Sequence, residues 1–213
     1  VACLVKKNNI ILKSNIKKIN NKFFFNVSRV EFIKKLLSSI NKNTKIISTT
    51  GYTSRELNQI NSKSKNPRNN FFYMVGGMGH AGAVSLGFSI FKNKEIICLD
   101  GDGSALMHLG SLRTSGFFGK KNFKHIILNN NSHESVGGTE TTAKTINFKF
   151  LARSLGYKKY FLIRKNSDIK IILPQFLKSK GPSLMNVLIK EGTIKDLSRP
   201  KNFKKIKKNF IGK

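Results

Sequence analysis

The chain has 213 residues, enough for one sizeable α/β domain, and its apolar fraction of 39% is adequate for a core. Its formal net charge of +30 would most directly mean attraction to nucleic acid or to an anionic membrane. Yet the lysines are scattered and rise together with Asn and Ile, as biased base composition in a gene produces, so a nucleic-acid-binding module stays the alternative from another class. The longest apolar stretch, residues 83–91, falls well short of the roughly 20 that span a bilayer.

The opening run Val1-Ala2-Cys3-Leu4-Val5 reads as a strand, as though cut from something longer, and residues 6–26 read as a Lys/Asn-rich linker. Ser28 is placed as the N-cap of an amphipathic helix through Val30, Phe32, Ile33, Leu36, Leu37 and Ile40. A short strand over 45–50 ends at Gly51, a helix over 53–60 with Thr53 or Ser54 near its cap follows, and 61–70 is a Ser/Asn/Pro loop. Residues 71–75 are extended and feed Gly76-Gly77-Met78-Gly79, then a small-residue helix over 80–91.

From there the alternation is regular. Strands are predicted at 95–99, 124–128, 158–163 and 183–189, and helices at 105–116, 147–155 and 167–177. Such alternation predicts an α/β fold, a doubly wound, mostly parallel sheet with helices on both faces and ligands outside the carboxyl ends of the strands. Residues 201–208 are too charged to help a core and read as a mobile tail. The chain thus divides into 1–26, the end of a preceding domain and a linker; 27–195, one domain; and 196–213, a basic tail. Cys3 and Cys98 lie far apart in apolar runs with no metal-like spacing, which reads as reduced core thiols of a cytoplasmic protein.

Two glycine-rich signals lie at predicted strand ends. Gly77-Met78-Gly79-His80-Ala81-Gly82 matches G-x-G-x-x-G, so dinucleotide binding is a legitimate reading, although tight turns and close helix packing explain such glycines equally well. The second is Asp102, in Leu99-Asp100-Gly101-Asp102-Gly103-Ser104, with 25 residues between Gly103 and Asn129-Asn130-Asn131 at the end of the run Ile126-Ile127-Leu128. Polar turns after buried strands are common. At this spacing, however, a helix-sized connection sets a carboxylate and an amide oxygen at neighbouring strand ends, where they could hold a hard, oxygen-seeking cation.

These residues resemble the diphosphate-binding domain of thiamine-diphosphate-dependent enzymes, whose signature is Gly-Asp-Gly, about 25 residues, then Asn-Asn. Thr50-Gly51-Tyr52-Thr53-Ser54-Arg55-Glu56-Leu57, Gly77-Met78-Gly79-His80-Ala81, Leu106-Met107-His108-Leu109-Gly110 and His133-Glu134-Ser135-Val136-Gly137-Gly138 are similar to the phosphonopyruvate decarboxylases and the sulfopyruvate decarboxylase β subunit. The likeness runs over residues 1–190. It implies that Asp102 gives a carboxylate oxygen to Mg²⁺, Asn130 its side-chain oxygen and Ser132, where many relatives have Gly, its main-chain carbonyl. It also implies that Gly103 and Ser104 face the diphosphate, that Thr50-Gly51 and the Gly77 loop approach the cofactor, and that Met78 wedges between its two rings.

Of the four histidines, His125 lies inside a strand and reads as packing. His80 and His133 follow the cofactor loops and, with Glu134, are the candidates for meeting an acidic substrate group or moving a proton. The resemblance implies decarboxylation of a small anionic 2-oxo acid, 3-phosphonopyruvate going to phosphonoacetaldehyde, with 3-sulfopyruvate as the close rival. It also implies a glutamate on a pyrimidine-binding domain that is not found here. The expectation is the second half of a two-domain enzyme, or a β-type subunit completed by an α-type partner in a homo- or hetero-oligomer, inactive alone.

Overall fold

The structure is a computed structural model that describes residues 25–92 and 94–212; the opening strand expected at Val1 to Val5 and most of the linker lie outside them. Ser28 caps the first helix, α1 (Arg29–Ser39), its hydroxyl accepting from the Glu31 N–H at 3.1 Å. The expected stripe is turned inward at Phe32, Ile33, Leu36 and Ile40, while Val30 and Leu37 are partly covered.

The chain continues through β1 (Lys45–Ser48), α2 (Tyr52–Ser62), β2 (Phe71–Tyr73), α3 (Ala81–Phe91), β3 (Ile96–Gly101), α4 (Asp102–Met107), α5 (Leu109–Phe118) and β4 (Phe123–Asn129). Then follow α6 (Phe148–Ser154), β5 (Lys159–Ile163), α7 (Asn166–Lys178), β6 (Ser183–Leu188) and α8 (Phe203–Ile211). The six strands form one sheet in the order β2-β1-β3-β4-β6-β5, and every pairing is parallel.

Side chains alternate across this sheet as the two-residue strand period requires. Ile46, Ile97, Leu99, Ile126, Leu128, Met185 and Val187 pack on one face, against Phe32, Leu57, Leu173 and Phe176 of α1, α2 and α7. Ile47, Ile96, Cys98, Phe123, Ile127 and Leu184 pack on the other, against Ala81, Ala105, Leu112, Ala152 and Phe210 of α3 to α6 and α8. No helix among the described residues is long and apolar enough to cross a membrane.

Three local expectations are corrected. The helix expected at 105–116 starts earlier, at Asp102, and is broken at His108 (φ −130°, ψ 57°) into α4 and α5. The cap of α2 is Gly51 (φ 92°) rather than Thr53 or Ser54, because the Ser54 hydroxyl is taken by the Thr49 carbonyl and the Ser48 hydroxyl of the preceding strand end. Residues 201–208, expected as a mobile tail without a share in the core, belong mostly to α8. There Ile206 and Phe210, four apart, turn inward while the lysines face out. Phe210 is buried, its ring 5.6 Å from Phe72 and 5.2 Å from Phe88, and its carbonyl accepts from Lys45 Nζ. The charge of the segment hid a one-sided apolar pattern.

Candidate cofactor and metal site

The chain leaves β1 toward β2 on one side, and β3 lies on β1's other side. This reversal of strand order opens a crevice at the carboxyl ends, where ligands of open α/β sheets sit. A cleft open to solvent lies there. It brings together nine of the residues singled out in the sequence: Thr50, Met78, Asp102, Gly103, Ser104, Asn130, Ser132, His133 and Glu134.

Asp102 is the charged centre of this cleft and is 2% exposed. Its Oδ2 accepts the Thr141 hydroxyl at 2.5 Å. Burial pushes its carboxyl up from the ordinary value, against the opposite pull of the Thr141 hydroxyl and the N–H groups of Asp102, Asn130 and Gly103. Among the described residues it forms no ion pair. A buried carboxylate held only by neutral donors is costly unless a cation joins it.

Asn130 has a fixed orientation. Its Nδ2 donates to Glu134 Oε2 at 3.0 Å, and since a carboxylate oxygen only accepts, this sets which way the amide faces. Its Oδ1 accepts the Ser132 N–H at 3.1 Å, which leaves one lone pair. The Ser132 hydroxyl is buried and has no hydrogen-bond partner among the described residues.

Ser104, in the first turn of α4, ties three loops together. Its hydroxyl lies 2.7 Å from that of Thr49 at the end of β1 and accepts the Gly79 N–H at 3.0 Å. Gly103 leaves room for His133: a Cβ there would lie 2.4 Å from Cε1 of that ring, which would have to shift. Gly51, at φ +92°, needs both its left-handed backbone and its missing side chain, since a Cβ would meet the Ser135 hydroxyl at 2.8 Å.

His80 and Gly77 are not among the residues lining the cleft. His80 is exposed, its Nδ1 is 3.1 Å from the Met78 carbonyl, and its ring sits 4.4 Å from that of His108. Glu134 is anchored: Oε2 also pairs with Arg29, and Oε1 accepts the Gly192 N–H. Arg29 reaches buried Glu56 as well, at 3.5 Å, so one guanidinium serves two carboxylates at the rim.

Arg29, Thr141 and Thr49 escaped the sequence reading. Arg29 follows a helix cap, and Thr141 lies 39 residues beyond Asp102, so neither carries a linear signal; Thr49 was discoverable as the neighbour of Thr50.

Residues 49–187 match the family model described as thiamine pyrophosphate enzyme, C-terminal TPP binding domain. The chain belongs to that family. Thiamine pyrophosphate, the same molecule as thiamine diphosphate, is thus the cofactor of this domain type, and every residue lining the cleft except Arg29 lies within the matched span. Similar proteins include phosphonopyruvate decarboxylases of Streptomyces viridochromogenes, 34% identical over 174 residues, and of Streptomyces hygroscopicus, 36% identical over 174. These alignments take in 82% of this chain and 43% and 42% of the two relatives, so the chain spans less than half their length. The sulfopyruvate decarboxylase subunit beta of Methanothermobacter thermautotrophicus is 32% identical over 166 residues, 78% of this chain and 84% of that subunit. The thiamine pyrophosphate domain therefore has relatives among both long chains and separate subunits.

Proposed function

We propose that the chain supplies the diphosphate- and Mg²⁺-holding half of a carboxy-lyase acting on a 3-substituted pyruvate, converting 3-phosphonopyruvate to phosphonoacetaldehyde and CO₂. The observation that carries this reading is Asp102, a buried carboxylate with no cationic partner among the described residues, beside an oriented amide oxygen. An all-oxygen set of the Asp102 carboxylate, Asn130 Oδ1 and the Ser132 carbonyl fits Mg²⁺, which keeps few protein ligands and takes the rest from phosphate and water. Bound thiamine diphosphate supplies the carbanion and the electron sink of the decarboxylation.

The residues of this chain then position and enclose it. Gly103 and Ser104, at the start of α4, would hold the diphosphate through their N–H groups, and Thr50 with Gly51, and Met78 with the Gly77 loop, would hold the cofactor from the other side of the cleft. His133 and Glu134, both lining the cleft, are the candidates in this reading for meeting the substrate's acid or moving a proton. His80, which does not line the cleft, is the weaker candidate.

The same proposal includes a domain that begins near residue 27 and, because α8 packs on its core, runs beyond 195 to take in that helix; it also includes a cytoplasmic location, a homo- or hetero-oligomer and a pyrimidine-binding domain or α-type subunit as partner. A sulfopyruvate decarboxylase β subunit is the second reading, favoured by the larger share of the Methanothermobacter relative that the chain covers.

Titration calorimetry of thiamine diphosphate with and without Mg²⁺, in the presence of a pyrimidine-domain partner, tests the reading. Mg²⁺-dependent binding is expected in the wild type and its loss in Asp102→Ala. Binding that ignores Mg²⁺, or an Asp102→Ala variant that titrates like the wild type, would sink it.

A further inference from the structure

Beneath the cleft, on the sheet face covered by α3, α5 and α6, three buried polar side chains form a line that the cofactor site does not use. Cys98 pairs with His125 and Asp100 with Ile127 across the β3–β4 ladder. Asp100 and His125 are therefore diagonal neighbours on one face, within reach of each other. Asp100 is 1% exposed, His125 0% and Tyr157 5%.

His125 Nε2 lies 3.3 Å from Asp100 Oδ2, and His125 Nδ1 lies 2.8 Å from the Tyr157 hydroxyl. Asp100 Oδ1 accepts the N–H of Gly101 at 2.9 Å. Gly101 is the residue before Asp102 and the N-cap of α4, and it receives no side-chain cap of its own.

One direction is set by chemistry: a carboxylate accepts, so His125 donates to Asp100 from Nε2, and its Nδ1 shares a hydrogen bond with the Tyr157 hydroxyl. Burial, with Cys98 and Asp100 nearby, pushes the Tyr157 phenol well up, which keeps its proton on the oxygen. The Cys98 sulfur belongs to the same cluster, with ligand atoms all within 4.8 Å. Both nitrogens of His125 and both oxygens of Asp100 are already bonded, however, so the cluster is complete as a hydrogen-bonded line without an ion.

We propose that Tyr157, His125 and Asp100 are positioning residues that fix the Gly101–Asp102 turn and thereby set the affinity of the site for its divalent cation. The inference rests on the reading of Asp102 as a Mg²⁺ ligand. The carboxylate of Asp100 grips the main chain one residue before Asp102. His125 and Tyr157 keep that carboxylate from rotating, and Tyr157 roots the line in the segment between α6 and β5. Groups that orient metal ligands from behind typically change metal affinity by about 10- to 100-fold when removed.

The test measures binding of Mg²⁺ itself by the full chain with its partner, below the unfolding temperature, beside ¹⁵N NMR of the His125 ring. Wild type and Asp102→Ala come first, and absence of Mg²⁺ binding by the wild type would overturn the metal site and this inference together. Given that binding, His125→Leu and Tyr157→Phe are expected to weaken Mg²⁺ by about tenfold or more. His125→Gln, which offers one donor to Asp100 and one acceptor to Tyr157, is expected to restore most of it. The wild-type ring is expected to carry a proton on Nε2, the nitrogen that faces Asp100.

Tyr157→Phe removes a single oxygen and serves if His125→Leu does not fold. Wild-type Mg²⁺ affinity in folded Tyr157→Phe and His125→Leu, or an Nε2 that carries no proton, would overturn the positioning role and leave the metal site standing. A merely structural role would lower the melting temperature and leave the affinity and the Gln rescue unmoved.

Discussion

On the face covered by α1, α2 and α7, the middle of the sheet is hydrocarbon: Ile97, Leu99, Ile126, Met185 and Val187 meet Phe32, Leu36 and Phe176. Its charged groups lie at the margins, with Lys124 near the start of β4 and the Arg29–Glu56 pair beside the cleft. On the face covered by α3 to α6, the same alternating strands present Cys98, Asp100 and His125 among small residues such as Ala81, Ala105 and Ala152. Both faces bury the side chains of the central strands β3 and β4 almost completely. One spends that burial on stability, and the other spends part of it on holding polar groups in line with the Asp102 turn.

The sharpest way to break this division is a cavity on the apolar face. Phe32 is fully buried, and Phe32→Ala is expected to cost about 3–5 kcal/mol of folding free energy, read from urea unfolding. The Mg²⁺ affinity of the protein that remains folded should hardly change. A parallel fall in affinity would mean that the apolar face also tunes the site, and the contrast between the faces would fail.

The legibility of the chain followed the same division. The strands of the apolar core were readable because alternation and β-branched runs carry a local period. The cap at Ser28 was readable because a hydroxyl before an amphipathic run is a local device. The metal donors were readable through the Asp102 to Asn130 spacing, since a parallel crossover converts sequence distance into adjacency. Thr141 and Arg29 were not, because each arrives at the cleft from a different element and their approach is a product of packing. His125 was read as packing; the partners it meets, Asp100 and Tyr157, lie 25 and 32 residues away in sequence. The helix α8 was misread because charge was counted over a window while burial depends on one side of a helix.

A smaller effect tests how tightly the cleft is built. In Gly103→Ala the new methyl would lie 2.4 Å from Cε1 of His133 and 3.1 Å from Thr141 Cγ2, while the backbone at 103 is helical and tolerates a side chain. Overpacking of this kind costs about 1–3 kcal/mol. The double variant with His133→Ala should recover most of the loss, a coupling that a thermal double-mutant cycle measures directly. Additive losses would show that His133 does not rest on Gly103, and would remove the placement that makes His133 a candidate at the cofactor.

The smallest expected effect is a slope. Burial raises the Asp102 carboxyl in the metal-free folded chain above its unfolded value, so the folded state holds this proton more tightly than the unfolded one. Relative to Asp102→Asn, the wild type should therefore be favoured below the unfolded value, near about pH 4, and should lose that advantage as pH rises through the folded value. Added Mg²⁺ should offset the loss at neutral pH in the wild type alone, because only a carboxylate gains from the cation. Melting temperatures of both proteins across pH, with and without Mg²⁺, read the difference. Two parallel profiles would mean that Asp102 titrates alike folded and unfolded, and that the charge at the cleft is already compensated by its neutral donors.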